Sequence, residues 1–174
     1  MKGKLITFGL LIALVFGAGL AINQIKTNPK ATLSASSLST PLEVNNDYAQ
    51  SSVKVGAKTF AVELALTAEQ QSLGLSNRNS LVSNAGMLFV FKPAEAATFW
   101  MKDMKFPLDM IWIYQGKVIA IDKNLPIPKT GTAPADLPTY SPKTPVDYVL
   151  EINAGASVGI GIGDRFELAT SSSV

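Results

Sequence analysis

Apolar residues form one long run at the start of the chain and a series of short runs after residue 58. Leu5–Ile22 reads LITFGLLIALVFGAGLAI, interrupted only by Thr7 and several glycines. From Thr59 the pattern changes. TFAVELAL alternates, which places Phe60, Val62, Leu64 and Leu66 on one face of a strand. Thr67 with Gln70 three positions later predicts a capping box, and Leu73-Gly74-Leu75 a helix end with Gly74 as its left-handed stop. Met87–Phe91, Ala97–Met101 and Asp109–Tyr114 read as strands. Gln115-Gly116 between IWIY and KVIAI predicts a tight hairpin.

Leu125–Pro145 carries six prolines (Pro126, Pro128, Pro134, Pro138, Pro142 and Pro145) and predicts an irregular excursion, where binding work is commonly placed. Asp147–Asn153 is a further strand, Ala154–Ile160 a helical turn, and Gly163-Asp164 introduces a last strand at Arg165–Leu168. Many short strands with one helix near 68–74 predict a mainly β fold with minor α: an antiparallel, partly closed barrel-like domain over residues 53–168.

The long run changes the address. As a helix it spans roughly 27 Å, close to a bilayer's hydrocarbon core of about 30 Å. Lys2 and Lys4 precede it with no acid, which keeps the N-terminus inside and exports the rest. Residues 1–22 are thus a transmembrane anchor or a signal peptide. Gly19 and Ala21 supply the small residues that cleavage would need. The domain is expected at the cell membrane, single-pass, or periplasmic or secreted if cleaved. Residues 23–52, rich in Ser, Thr, Asn, Ala and Pro, predict a flexible linker, and 169–174 a tail.

Charge and composition remove whole classes of function. The formal charge of +2 resides at the N-terminal end, since residues 53–168 hold eleven Lys/Arg against eleven Asp/Glu. A neutral domain without a basic stripe has little means of holding a phosphate backbone, so no nucleic-acid partner is expected. Histidine and cysteine are absent. Catalysis by Cys–His or Ser–His–Asp, zinc sites of nitrogen or thiolate ligands, and disulfides are excluded with them. No cofactor and no metal are expected.

Several pieces together carry a resemblance: VELALTAEQQSLGLSNRNSL (62–81), GMLFVF (86–91), FWMKDMKFPLDMIWI (99–113), VIAIDKN (118–124), YVLEI (148–152) and GDRF (163–166). In this order and spacing they resemble the family of uncharacterised proteins known as domain of unknown function 192. The resemblance implies a compact barrel-like domain, often exported, and polar family positions at Arg78, Trp100, Lys102, Asp109 and Asp164. Ser76 stands where the family usually has Met, and Lys102-Asp103 replaces its common Lys-Asn pair. The family supplies no settled activity.

Those five residues are the candidate ligand site, and each has a plainer reading. Asp109 follows Pro107-Leu108 and can fix the corner by accepting backbone N–H bonds from the 102–107 turn. Trp100 is either core or a cleft wall. Lys102 and Lys105 are solvated turn charges, or near Asp109 they pair with it or bind an anion. Arg78 clamps a strand-end carboxylate or binds an anion, and Gly163-Asp164 is a turn. Two functions stay open. One is a binding module for a small polar or carbohydrate-like ligand or an envelope protein. The other is a glycan-directed hydrolase or lyase pairing Asp109 with Asp103 or Asp164, because acid–base glycoside chemistry needs two carboxylates at a set separation.

Overall fold

The structure, a computed structural model, describes residues 48–169; the run at 5–22, most of the linker and the tail from 170 lie outside the described residues. Among the described residues no helix is long and apolar enough to cross a membrane. The chain divides into two units at Pro41, and everything that follows concerns the second.

Nine strands and one short α-helix make up the described part. They are β1 (Ala49–Val55), β2 (Lys58–Ala65), α1 (Ala68–Leu73), β3 (Ala85–Glu95), β4 (Phe99–Trp100), β5 (Leu108–Tyr114), β6 (Lys117–Leu125), β7 (Thr139–Tyr140), β8 (Val146–Asn153) and β9 (Phe166–Leu168). Seven form one sheet in the order β6-β5-β8-β3-β2-β1-β9, and β4 pairs with β7 separately. β1 begins at Ala49, inside the segment expected as linker. Its polar AQSS start carries no apolar signal, and pairing with β2 and β9 orders it.

The expected antiparallel sheet is instead mixed. β2 and β3 run parallel, with Ala61 opposite Ala85 and Ala65 opposite Phe89. A parallel pair needs a crossover, and the stretch holding α1 supplies it. The helix starts as its capping box dictates: Thr67 Oγ1 accepts the Gln70 N–H at 3.2 Å, and Gln70 Oε1 accepts the Thr67 N–H at 3.1 Å.

The sheet curls into a half-barrel without closing. Its edge strands β6 and β9 approach through a single bridge, Lys117 to Arg165, flanked by Val118 N–H to Asp164 O at 2.9 Å. Residues of the inner face, among them Val53, Phe60, Val62, Leu88, Ile111, Leu150 and Ile152, pack into one buried cluster. The other face carries Met87, Phe89, Met110, Trp112 and Val149, covered by Leu75, Ala97, Met101 and Met104 from the connecting segments. The central strands are therefore buried on both sides. That is why β5, apart from Asp109, reads as a continuous apolar run, MIWI, instead of alternating. The β5–β6 hairpin turns at Gln115 (φ 50°) and Gly116 (φ 70°), two left-handed residues as a primed turn requires. The turn expected as helical at Ala154–Ile160 is a run of turns, and the Pro-rich excursion contains a single 3-10 turn at Pro134–Asp136 besides β7.

Candidate functional site

The buried carboxylate of Asp109 serves the corner where β5 begins. Its Oδ1 accepts the Asn124 N–H at 2.8 Å and its Oδ2 the Ser157 N–H at 3.0 Å, with no accessible surface left. Its partners come from the end of β6 and the turn after β8, not from residues 102–107. Burial raises the pKa of such a group, but the backbone bonds from Asn124, Ser157 and Gly155 and the nearby Ser157 hydroxyl outweigh it and hold the carboxyl below its ordinary 3.8. Among the described residues the Ser157 Oγ itself finds no hydrogen-bond partner of normal geometry.

The other candidates lie apart. Arg78 makes two 2.6 Å bonds to the Glu63 carboxylate, and its guanidinium carbon stands 5.6 Å from the Tyr48 ring centroid. Those bonds, and to a lesser degree the charge, raise its pKa although burial opposes them. The fork is committed to an intramolecular partner. Lys102 pairs with Asp103 at the surface and lines a small cavity of about 210 Å³ with Lys129 and Thr130 of the Pro-rich excursion. Asp164 Oδ2 accepts the Gly161 N–H at 2.9 Å within its own turn. It also packs against Gly56, where an added Cβ would stand 2.6 Å from that oxygen.

Trp100 alone of the five lines a cavity of about 390 Å³ between α1, β3 and β4. The neighbouring Met101 is buried while Trp100 is 46% exposed, so the strand turns the indole toward the rim. Leu73 of α1 forms the opposite exposed apolar edge, and Phe89, Phe91 and Phe99 wall the interior. Phe99 holds the wall through edge contacts to Phe89 (4.8 Å between ring centroids) and Trp112 (5.5 Å).

One more lining residue carries the chemistry: Glu151 of β8. It stands between Met87 of β3 and Met110 of β5, only 5% exposed, and makes no hydrogen bond or ion pair with any described residue. Burial without a partner pushes its carboxyl from 4.5 up to about 8, so it is largely protonated at neutral pH. The sequence reading missed it. Its signal was an acid two positions after Val149 in the apolar half of VDYVLEIN, which is informative only once β8 is known to be buried on both faces. Asp109 pairs with Ile152 and Glu151 with Met110, adjacent register positions, so the two buried carboxylates point to opposite faces of the sheet.

The family model for domain of unknown function 192, described as "Uncharacterized ACR", matches residues 49–168. No curated protein matches the chain. Among solved structures, a candidate transcription regulator from Sinorhizobium meliloti 1021 is 32% identical with a TM-score of 0.62, covering 70% of this chain and 95% of its own. A protein of unknown function from Novosphingobium aromaticivorans DSM 12444 is 34% identical with a TM-score of 0.59, covering 67% of this chain and 83% of its own.

Proposed function

The chain belongs to the family of domain of unknown function 192, and from that premise we propose that it is an exported, non-catalytic binding module that takes a small ligand in the cavity floored by Glu151. The observation that carries this reading is the carboxyl itself. Burying a carboxyl without a partner costs several kcal/mol in its charged form, and a hydrophobic residue at this register would stabilise the sheet instead. A group kept at such a cost beside an aromatic-walled opening fits recognition of something from outside.

The glycan hydrolase reading draws no support from the geometry. Asp109 is sealed beneath backbone amides, Asp103 pairs with Lys102 at the surface, and Glu151 faces away from Asp109. The regulator description of the Sinorhizobium protein finds no counterpart in charge here, because residues 53–168 balance acids and bases. Export rests on Lys2, Lys4 and the apolar run at 5–22, with the domain tethered by that run or released by cleavage. Envelope glycan or an envelope protein then remains as the source of the bound group.

Two measurements test the reading. Fractionation should place the chain in the membrane or outside it, and recovery from the cytoplasm would end the export claim. The five methionines allow a methyl NMR screen of the full chain against small apolar, cationic, anionic and sugar fragments. The Met104 methyl, which lines the cavity, should shift with at least one class while Met1 stays still. Silence of Met104 toward every class would remove the site.

A further inference from the structure

The polar groups around the Glu151 cavity narrow what it can hold. Glu95 and Glu151 are its charged lining residues, and neither Lys nor Arg is among them. An anionic ligand would meet two acids and no base. A sugar needs several donors and acceptors at once, yet the lining amide and one lining hydroxyl are already engaged. Gln71 Nε2 donates to Val90 O at 2.9 Å, and Ser76 Oγ donates to Lys102 O at 2.9 Å. Besides the Ser72 and Thr98 hydroxyls and the exposed Glu95, the cavity offers one buried, unpartnered carboxyl, the rings of Phe91, Phe99 and Trp100, and the Met104 thioether.

We propose that this cavity binds a small organic cation, an ammonium head on a compact flat or apolar body, with Glu151 as its counter-ion and the aromatic wall around it. The inference rests on the small-ligand reading above and specifies its ligand class. Aromatic faces attract cations through their quadrupoles, and the attraction strengthens where water is excluded. A carboxylate in the same low-dielectric space adds a charge-assisted hydrogen bond. The sheet neighbours Met87 and Met110 bring no charge to Glu151, α1 contributes only Gln71, Ser72 and Leu73 to the cavity, and Glu95 is the other titratable group there. Arrival of a cation therefore draws the proton off Glu151, and uptake near neutral pH releases protons.

Benzylammonium, benzyl alcohol and benzoate share one flat body and differ in charge. Their titration into the full chain in zwitterionic nanodiscs, followed through methionine methyl signals, separates the possibilities. The proposal expects benzylammonium to shift Met104, Met87 and Met110 with a dissociation constant at least tenfold below that of benzyl alcohol. Glu151→Gln, nearly isosteric and neutral, should level the two, whereas Glu95→Gln should leave most of the difference. Equal or tighter binding of the alcohol or of benzoate, or a preference that survives Glu151→Gln, overturns the cation assignment while the small-ligand site stands. If none of the three probes moves these methyls, the cation assignment is overturned as well, and the broader fragment screen decides whether any site remains.

Discussion

The Asp109 carboxylate accepts the Ser157 N–H at 3.0 Å, joining the start of β5 to the turn that follows β8. With the second bond to Asn124, whose backbone is left-handed (φ 54°), one side chain ties three separate segments at a single corner. Asp109→Ala should leave two buried amides unsatisfied, at a cost on the order of 2–5 kcal/mol, and Asp109→Asn should cost less because one acceptor survives. Denaturant melts of both variants check the ranking. Since the folded carboxyl titrates below 3.8, the stability Asp109 contributes is present above that pH and lost as pH falls through the folded value. An Asp109→Asn protein as stable as wild type would show that the bonds contribute little.

Glu151 has the opposite linkage. Its folded pKa of about 8 lies above the ordinary 4.5, so the folded state holds a proton that the unfolded state releases. Its contribution is greatest below pH 4.5 and declines as pH rises toward 8, by up to roughly 1.4 kcal/mol per pH unit. Glu151→Gln should therefore raise the melting temperature little at pH 5 and clearly at pH 8. A gain that does not grow with pH would contradict a lone buried carboxyl.

Arg78 and Glu63 offer a cleaner energetic measurement, because the pair is bidentate and more than two-thirds buried. A double-mutant cycle with Arg78→Ala and Glu63→Ala should return a coupling of about 1–3 kcal/mol, well above that of the surface pair Lys102–Asp103. Arg78→Lys should recover only part of it, since an ammonium cannot form the fork. A coupling near zero would place Arg78 among solvated charges.

The helix edge of the cavity depends on a local device. Thr67→Ala removes the cap of a six-residue helix that has no buried residue of its own, costing about 1 kcal/mol. Amide exchange should accelerate in Gln71–Leu73, which line the cavity, with little change in the central strand β8. Uniform acceleration across the sheet would mean that α1 is coupled to global unfolding.

What was legible in the chain was local. The capping box at Thr67–Gln70 and the turn at Gln115-Gly116 each depend on residues a few positions apart, and both stand as their side chains dictate. The parallel pairing of β2 and β3 depends on where a crossover lands, which alternation in TFAVELAL does not encode. Residues 49–52 read as linker because their order comes from partners: β2 faces all four, and Ala169 closes on Ser52 O. Glu151 was hidden for the same reason. An acid in an alternating strand reads as solvent-facing, and only a sheet covered on both sides turns it inward. Trp100 could be placed on either side from sequence, and the burial of Met101 decides it.

The buried carboxyl in an aromatic-walled cavity can be observed directly. Glutamate side chains labelled at Cδ report their own titration by NMR, and Glu151→Gln identifies the signal. The predicted midpoint for Glu151 is about 8 in the free chain, moving down by a unit or more when benzylammonium saturates the site. A free-chain midpoint near the ordinary 4.5, unmoved by the cation, would contradict both the isolation of Glu151 and the ligand class assigned to it.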